Sequence, residues 1–375
     1  MIILACPDSF KGSLQSWEAS TAIRKGFEKV GGFQVLEKPL ADGGEGTVKV
    51  VTLARGGTIL IREVTGPLGE KVQAEVGLLP DGTCVLELAQ AAGLSLVPKE
   101  RRNPRFTTTY GVGELIRDAF QRGCKRIVLG VGGSATCDGG MGALQALGVR
   151  FLDRHGTELL GIGDNLLKIA RIDTSQLVRP PQGTKLIIAC DVRNPLYGPQ
   201  GAAYVYAPQK GAGPEDVALL DEGLRHWARL IWEHLGVSVD DLPGGGAAGG
   251  IVAGLFAFLG AKVVSGIRLI IELTGLDRAV EEADIVISGE GKVDRQTFFG
   301  KTVYGVLELC RRFHKPLFIL AGKVEWEEVI PLPEEVAGLF SIVNGPMAEE
   351  EAIKEAPQLL EWVSFSLART LKKFS

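Results

Sequence analysis

The sequence contains few residues of the kinds that build disulfide frameworks or metal centres. Its 375 residues include six cysteines and four histidines. The cysteines form no C-x-x-C pair, and the histidines have no metal-ligand spacing. Several cysteines lie in apolar, strand-like segments, which is typical of reduced, buried thiols in a cytosolic protein. The sequence therefore predicts a cytoplasmic protein without disulfide bonds or a zinc site.

Long apolar segments and basic runs are also scarce. Residues 244–261 carry no charge, but they open with Gly-Gly-Gly-Ala-Ala-Gly-Gly, whereas a spanning helix needs about 20 predominantly apolar residues. We expect a glycine loop there, followed by a buried helix at 251–259. The N-terminus lacks the basic region of a signal peptide. Lysine and arginine total 41 against 45 aspartates and glutamates, without a long basic run, so we expect no membrane and no nucleic-acid partner.

Glycine is the residue in excess. It accounts for 50 of the 375 residues, against a usual share of about 7%. Hydrophobic residues make up 45%, so a buried core can form, and the length suits about two domains. The glycines cluster in short loops beside apolar segments, where a backbone turns sharply or approaches a ligand. These loops are therefore the first places to look for function.

Strand and helix signals alternate over most of the chain. The first 55 residues are predicted as strand–helix–strand–helix, which is typical of a parallel sheet with helices on its faces. Alternating apolar residues at 72–78 and a partner segment at 83–88 predict a mixed sheet. Strand–helix order then resumes. The later predicted strands are 126–131, 149–153, 185–190, 284–288 and 316–320, and the later helices are 111–121, 214–235, 301–313 and 357–373.

This order predicts an α/β fold of two domains. Residues 1–55 and 281–375 form a discontinuous Rossmann-like domain, a parallel sheet with helices on both faces. The first strand lies so near the N-terminus that we expect its sheet neighbours from the C-terminal third. Residues 56–280 form a second α/β domain with a mixed sheet.

Five polar, glycine-rich segments follow predicted strands, at 7–13, 41–46, 130–140, 190–195 and 288–294. In open α/β sheets, ligands bind beyond the carboxyl ends of the strands. Phosphoryl transfer needs acids to hold Mg²⁺, cations and amides to hold phosphate oxygens, and a base to position a hydroxyl. The segments supply all three, with carboxylates at Asp8, Asp42, Glu45, Asp138, Asp191, Glu290 and Asp294 and cations at Lys11, Arg193 and Lys292.

Taken one at a time, these residues also have ordinary structural interpretations. Asp8 and Asp191 suit a turn or a cap, and Ser134 suits a cap of the following helix. Glu290 and Asp294 suit a solvated loop. Five such segments at strand ends in one chain are harder to explain as coincidence.

A dinucleotide-binding pattern is also present. Gly130-x-Gly132-x-x-Ala135 follows a predicted strand and precedes a helix, and Asp153 ends the next strand about 20 residues later. This pattern keeps an NAD-dependent oxidoreductase of a small hydroxy acid as an alternative, and a non-catalytic organic-acid-binding protein is a more distant one. A Walker loop is excluded, because Arg295 stands where its first glycine is required.

The glycine-rich segments contain five sets of motifs in order along the chain. These are Asp8-Ser-Phe-Lys-Gly-Ser13, Ala41-Asp-Gly-Gly-Glu-Gly-Thr47, Gly130-Val-Gly-Gly-Ser-Ala-Thr136 with Asp138-Gly-Gly140, Cys190-Asp-Val192 with Asn194-Pro-Leu196, and Gly289-Glu-Gly291 with Asp294, Gln296-Thr297 and Gly300-Lys301. Taken together, they closely resemble the motifs of the bacterial type I glycerate kinases. The resemblance covers essentially the whole chain, and its departures are small: Cys137 stands in place of asparagine, Lys292 in place of arginine and Val303 in place of proline.

The resemblance implies an ATP-dependent glycerate kinase that uses Mg²⁺, with its active site in a cleft between two α/β domains. The γ-phosphate of ATP would pass to a hydroxyl of (R)-glycerate, and 2-phosphoglycerate is favoured over 3-phosphoglycerate as the product. Glycerate and ATP are then the expected partners, and a homodimer is left open.

The motifs allow roles to be assigned as hypotheses. Asp191 orients or deprotonates the substrate hydroxyl, and Asp42 is an alternative for either carboxylate role. Glu290 and Asp294 lie near the metal. Phosphate or carboxylate oxygens are held by Lys11 and by the amides of Gly132, Gly133 and Ser134. The other candidates for substrate or phosphate binding are Asp8, Ser9, Asp138, Arg193, Asn194 and Lys292.

Overall fold

The computed structural model describes residues 1–41, 43–298 and 302–374. The strands are β1 Ile2–Ala5, β2 Gln34–Glu37, β3 Thr58–Thr65, β4 Lys71–Leu78, β5 Thr83–Glu87, β6 Arg126–Gly130, β7 Arg150–Leu152, β8 Arg171–Asp173, β9 Lys185–Ala189, β10 Lys262–Val264, β11 Ile285–Val293, β12 Leu317–Val324 and β13 Val336–Ser341. The helices are α1 Ser16–Glu28, α2 Thr47–Ala54, α3 Ala89–Ala92, α4 Tyr110–Gln121, α5 Met141–Ala146, α6 Ala202–Tyr206, α7 Pro214–Leu235, α8 Ala247–Leu259, α9 Gly266–Thr274, α10 Leu276–Glu282, α11 Thr302–Phe313, α12 Trp326–Val329 and α13 Glu349–Phe374.

The chain divides into two compact units, Met1–Asp42 with Ile267–Ser375 and Gly43–Gly266. Helix α2 falls in the second unit, because the Glu87 carboxylate at the end of β5 accepts hydrogen bonds from amides at its N-terminus. The predicted domain bounds, 1–55 with 281–375 and 56–280, had placed this helix in the first domain, and they stay a prediction.

The first unit contains a five-stranded sheet in the order β13-β12-β11-β1-β2, and all of its pairings are parallel. Ile3 and Ala5 of β1 join a core formed with α1 and α13. Leu4 and Cys6 alternate with them and are also fully buried, so both faces of the sheet are covered. The predicted parallel sheet is confirmed, as is the pairing of β1 with a strand from the C-terminal third.

The second unit contains a six-stranded mixed sheet in the order β10-β9-β6-β5-β4-β3. Strands β5, β6, β9 and β10 are parallel, whereas β3, β4 and β5 pair antiparallel. Trp227 of α7 stacks on Phe258 of α8 at 5.6 Å and meets Phe151 of β7 edge-on at 5.6 Å. The predicted mixed sheet is confirmed, and the carboxyl ends of β6 and β9 are adjacent, as ligand loops require.

The segment 288–294 was predicted as a loop, and the structure corrects this. Strand β11 continues to Val293, and its last residues pair with β12. Gly291 lies against the backbone of Phe10 and Lys11, and a Cβ at position 291 would stand 3.1 Å from the backbone nitrogen of Lys11. A glycine inside a strand often marks such a close backbone approach, so this glycine serves strand packing and does not interrupt the strand.

The glycine segment at 244–250 leads into a buried helix, as predicted. Ala248, Gly249 and Gly250 have left-handed backbone angles, so regular helix begins only at Ile251. All residues from Gly244 to Gly250 are buried. Among the described residues, no helix combines the length and the apolar character needed to cross a membrane.

Candidate functional site

In the first unit, Asp8 ties the loop after β1 to the start of α11. The Asp8 amide donates to the Gly289 carbonyl oxygen over 2.8 Å. Thr302 Oγ1 donates to Asp8 Oδ2 over 2.6 Å, and the Ser9 amide donates to Asp8 Oδ1 over 2.6 Å. The sequence did not single out Thr302, although a hydroxyl residue at the predicted start of a helix is a capping signal. Asp8 therefore has a structural function at this edge of the sheet.

The loop after β1 and strand β11 bring several predicted residues to the same edge. Ser9 is half-buried and Lys11 is exposed, and the Lys11 backbone packs against Gly291. Glu290 directly precedes that glycine in β11 and is partly buried. The structure thus groups Asp8, Ser9, Lys11 and Glu290 within one unit. The predicted residue Asp42 lies outside the described residues.

Lys292 and Asp294 stand close to each other near the end of β11. Lys292 Nζ lies 3.5 Å from Asp294 Oδ2 and 3.4 Å from Glu325 Oε1, with half of the Lys292 side chain exposed. The hydrogen bond with Glu325 is the main reason that the pKa of Lys292 is raised. A phosphate contact by Lys292 would therefore compete with two carboxylates.

The described residues include no group of three carboxylate, histidine or cysteine side chains that could hold a metal ion. Mg²⁺ usually takes only one or two protein carboxylates and completes its shell with water and substrate phosphates. The oxygen donors of Glu290 and Asp294 fit that chemistry.

In the second unit, Asp138 anchors the loop after β6. Asp138 Oδ2 accepts hydrogen bonds from the Thr109 amide, Thr109 Oγ1 and the Gly142 amide at 2.8–3.2 Å, and Oδ1 accepts one from the Gly140 amide at 3.1 Å. Burial raises the pKa of Asp138, and these hydrogen bonds oppose the rise. Asp138 has no exposed surface. These contacts hold the loop after β6 in place, and a contact of Asp138 with substrate stays a prediction.

The glycines of the same loop pack against the segment that precedes α2. The Gly132 amide donates to the Gly43 carbonyl oxygen over 3.3 Å, and a Cβ at Gly132 would lie 2.6 Å from Gly44 Cα. Gly133 is close to the Glu45 side chain. Two of the five predicted segments are thus neighbours, but the Gly132 amide, predicted to hold a phosphate oxygen, has a protein partner.

Lys210 is a member of this site that the sequence did not reveal. It ends a 3₁₀ turn, Pro208–Lys210, and is 3% exposed. Its Nζ donates to Ser134 Oγ and to the Thr136 carbonyl oxygen, each over 2.7 Å. Burial lowers the pKa of Lys210 to about 8, and Cys137 and Asp138 oppose that shift. Its sequence neighbours carry no motif, so only tertiary structure could find it.

Glu87 is a second functional candidate that was missed. It ends β5, is 1% exposed, and accepts hydrogen bonds from the Val48 amide at 2.5 Å and the Gly46 amide at 3.2 Å. Gln90 Nε2 lies 3.4 Å from the same carboxylate. Burial raises the pKa of Glu87 to about 7, against the effect of these hydrogen bonds. A carboxylate at the carboxyl end of a buried strand was the available signal, close to the one that marked Asp191.

Asp191 follows β9 and is partly buried. Its Oδ1 accepts hydrogen bonds from Ser265 Oγ at 2.8 Å and from the Gly266 amide at 2.9 Å. These two donors fix the orientation of the carboxylate. The arrangement suits a cap of the segment leading into α9 and is equally compatible with a positioned base.

The two other predicted residues of this loop differ in their surroundings. Arg193 is exposed, which suits contact with an anionic ligand. Asn194 Nδ2 donates to the Gln200 carbonyl oxygen over 2.8 Å, and Tyr206 Oη donates to Asn194 Oδ1 over 2.6 Å. The Asn194 side chain therefore fastens the loop to α6.

Comparison with known proteins gives matches along nearly the whole chain. The model of the glycerate kinase family matches residues 3–372. A glycerate kinase of Halalkalibacterium halodurans is 45% identical over 370 residues, covering 98% of this chain and 97% of the relative. The glycerate 2-kinase of Escherichia coli K12 is 41% identical over 373 residues, covering 99% of this chain and 98% of that relative. A crystal structure assigned to glycerate kinase 2 of Salmonella typhimurium LT2 has a TM-score of 0.85 and 42% identity, covering 100% of this chain and 98% of that one.

Proposed function

Because this chain belongs to the glycerate kinase family and is an ATP-dependent glycerate kinase, we propose that it phosphorylates the 2-hydroxyl of (R)-glycerate and forms 2-phosphoglycerate. The observation that carries this choice is the 41% identity to the E. coli glycerate 2-kinase over nearly the full length of both chains. A site between the two domains and a homodimeric assembly stay predictions. A cytoplasmic location is supported by the six cysteines, which are buried and free of disulfide bonds.

The position of the phosphoryl group is tested by ³¹P NMR on the product formed from ATP and (R)-glycerate. A phosphate on C2 couples to one methine proton and gives a doublet, whereas a phosphate on C3 couples to two methylene protons and gives a triplet. A doublet is the expected result. A triplet would overturn the proposed product and leave the glycerate kinase activity intact. Samples without enzyme and without glycerate are the controls.

In the proposed mechanism, Asp191 orients the substrate hydroxyl and takes its proton as the phosphoryl group is transferred. Ser265 and the Gly266 amide hold one oxygen of this carboxylate, so its orientation is set before substrate arrives. A positioned acid or base of this kind contributes about 10²–10⁴-fold to a rate. Asp42 stays the alternative base.

Anionic groups of the substrates are held by cations and amides from the loops. The Lys11 side chain is exposed in the loop after β1, where a flexible ammonium can reach a phosphate or carboxylate oxygen. Arg193 is the exposed cation of the loop after β9. The Gly133 and Ser134 amides and the Ser9 hydroxyl are further candidates for these oxygens.

Mg²⁺ would be held by Glu290 and Asp294. When bound, it neutralises charge on the phosphate oxygens of ATP. Lys292 then keeps the Asp294 carboxylate near the end of β11 through their 3.5 Å ion pair.

A further inference from the structure

Lys210 places a buried positive charge next to the loop after β6. Its Nζ contacts two oxygens of that loop, Ser134 Oγ and the Thr136 carbonyl oxygen. In the described part of the chain, no carboxylate lies within ion-pair distance of it. Removing an ammonium from water is costly unless it is paired. Cys137 and Asp138 oppose the lowering of the Lys210 pKa, and Asp138 is occupied by four hydrogen bonds from other donors.

The direction of the hydrogen bond between Lys210 and Ser134 follows from their chemistry. An ammonium has three donors and no acceptor, so the Ser134 oxygen must accept. A serine hydroxyl has one proton of its own, and that proton cannot point at the ammonium. Over residues 1–41, 43–298 and 302–374, the only side-chain hydrogen bond of Ser134 is the one from Lys210. The Ser134 proton is therefore available to an acceptor outside the described residues.

We propose that Lys210 is a positioning residue that fixes the Ser134 hydroxyl as a hydrogen-bond donor to an anionic oxygen of a bound substrate. This inference rests on the proposed function of the loop in holding such oxygens. The substrate anion supplies the negative charge that the buried ammonium lacks among its protein neighbours. The acceptor is either a phosphate oxygen of ATP or the carboxylate of glycerate.

Several contacts fix this geometry from other sides. The Thr136 carbonyl oxygen holds the ammonium from the far end of the Ser134–Thr136 segment. Thr107 Oγ1 donates to the Ala135 carbonyl oxygen over 2.9 Å, and Thr107 is 1% exposed. Ser134 is 8% exposed and the least buried of these residues. The segment is thus anchored on both sides, and Ser134 is the member with remaining accessible surface.

The test is a double-mutant cycle in kcat/KM with Lys210→Met and Ser134→Ala, using glycerate kinase activity followed by ADP release. Each single variant is expected to lower kcat/KM, by about 10–100-fold for Lys210→Met and about 10-fold for Ser134→Ala. If Lys210 acts through Ser134, adding Lys210→Met to the Ser134→Ala variant should lower kcat/KM by only about 3-fold or less. KM for ATP and KM for glycerate are measured separately, and the larger rise identifies the substrate that Ser134 contacts.

Thr107→Val is the matched control, because it removes a hydrogen bond to the same segment without touching Lys210 or Ser134. Its effect is expected to add to that of Ser134→Ala. Lys210→Gln, which keeps an N–H donor without the charge, is measured beside Lys210→Met in case the latter fails to fold.

Two results would overturn the inference. The first is additivity of the Lys210 and Ser134 substitutions, which would leave Lys210 with a structural role alone. The second is wild-type kcat/KM in Ser134→Ala, a measurement that needs no Lys210 variant. Either result can be distinguished from a failure of the proposed function. The double-mutant cycle measures the rate of glycerate phosphorylation, and this rate does not depend on whether the product is 2- or 3-phosphoglycerate.

Discussion

The Asp191 carboxylate both caps a neighbouring segment and is the proposed base, and one substitution separates these roles. An asparagine side chain at this position would keep an oxygen able to accept from Ser265 and Gly266, so the local structure should survive. It would lose the charge and the basicity. We expect Asp191→Asn to lower kcat by about 10²–10⁴-fold, measured at saturating glycerate and ATP with the thermal unfolding midpoint as a check on folding.

Ser265→Ala is the matched control for that variant. It removes one hydrogen bond to the same oxygen and leaves the carboxylate, so its effect on kcat should be about 10-fold or less. Near-normal kcat in Asp191→Asn would show that Asp191 is a cap, and Asp42 would then be the next residue to substitute.

At the level of single residues, the sequence could not separate candidate side chains that are fully buried from those that keep exposed surface. Asp138 and Asp191 carry the same signal, a carboxylate in a polar segment after a buried strand. Asp138 proves to be fully buried and occupied by amides, whereas Asp191 keeps partial exposure. Lys210 carried no signal, because its role depends on a contact with Ser134 across 76 positions of sequence. Such distinctions depend on tertiary contacts that no local pattern encodes.

At the level of elements, Glu87 connects β5 to the N-terminus of α2 through a carboxylate that titrates near neutral pH. Its pKa, raised by burial from 4.5 to about 7, means that the native state holds this proton more tightly than the unfolded state. The contribution of the protonated Glu87 side chain to the free energy of unfolding is therefore largest below about pH 4.5 and is lost as the pH rises to about 7. A shift of this size corresponds to about 3 kcal/mol.

Glu87→Gln removes this titration and tests it. Between pH 5 and 7.5, the free energy of unfolding of the wild type should fall relative to that of the variant, by about 3 kcal/mol at most. The measurement is urea unfolding at a series of pH values. Glu75→Gln is a control, since Glu75 is a lesser electrostatic influence on Glu87. Parallel pH profiles for wild type and Glu87→Gln would contradict the raised pKa.

The glycine segment before α8 was open to two interpretations, a hinge or a packing turn, and its burial favours packing. A Cβ at Gly246 would overlap the carbonyl oxygen of Pro195. Gly246→Ala should therefore lower the free energy of unfolding by about 1–3 kcal/mol and leave kcat nearly unchanged. Gly213→Ala is the control, because that Cβ would meet no atom within 4 Å. A fall in kcat without a loss of stability would instead support the hinge.

Element types were predictable from periodicity, while several boundaries were not. Helix α7 matches its predicted range, but α13 begins at Glu349 and contains Pro357, where the proline had suggested a helix start. Three glutamates in the first turn of α13 favour its earlier beginning through the helix dipole. Strand β11 extends beyond its predicted end, because Gly291 has no side chain and lets the neighbouring backbone of Lys11 pack closely against it.

For the whole molecule, the order of the glycine-rich motifs was more informative than any one of them. The dinucleotide-like spacing from Gly130 to Ala135 was the main competing signal. In the structure, Gly130 and Gly132 face the backbone of Gly43 and Gly44, so their missing side chains are explained by packing between two chain segments. The two glycines of this pattern thus have a packing role unrelated to a dinucleotide, which is why the full set of five motifs was needed.

The proposed Mg²⁺ site makes a prediction about the stability of the whole protein. A ligand that binds only the native state stabilises it by RT ln(1 + [L]/Kd), about 2.7 kcal/mol at 100 times Kd. The proposed holders of Mg²⁺, Glu290 and Asp294, are carboxylates that would repel the phosphates of ATP unless a cation lies between them. ATP with Mg²⁺ should therefore raise Tm by about 2–5 °C, whereas ATP with EDTA should raise it by much less.

The same samples should lose glycerate kinase activity in EDTA and recover it when Mg²⁺ is added in excess. Mg²⁺ without ATP is the control for Tm, and it should have little effect, because two protein carboxylates alone bind this ion weakly without phosphate oxygens. Asp294→Asn should reduce the Mg²⁺-dependent part of the ATP shift. An equal Tm shift for ATP in EDTA and in Mg²⁺, with full activity in EDTA, would show that Glu290 and Asp294 have another role. Lys292, paired with Asp294, would then be the natural phosphate contact.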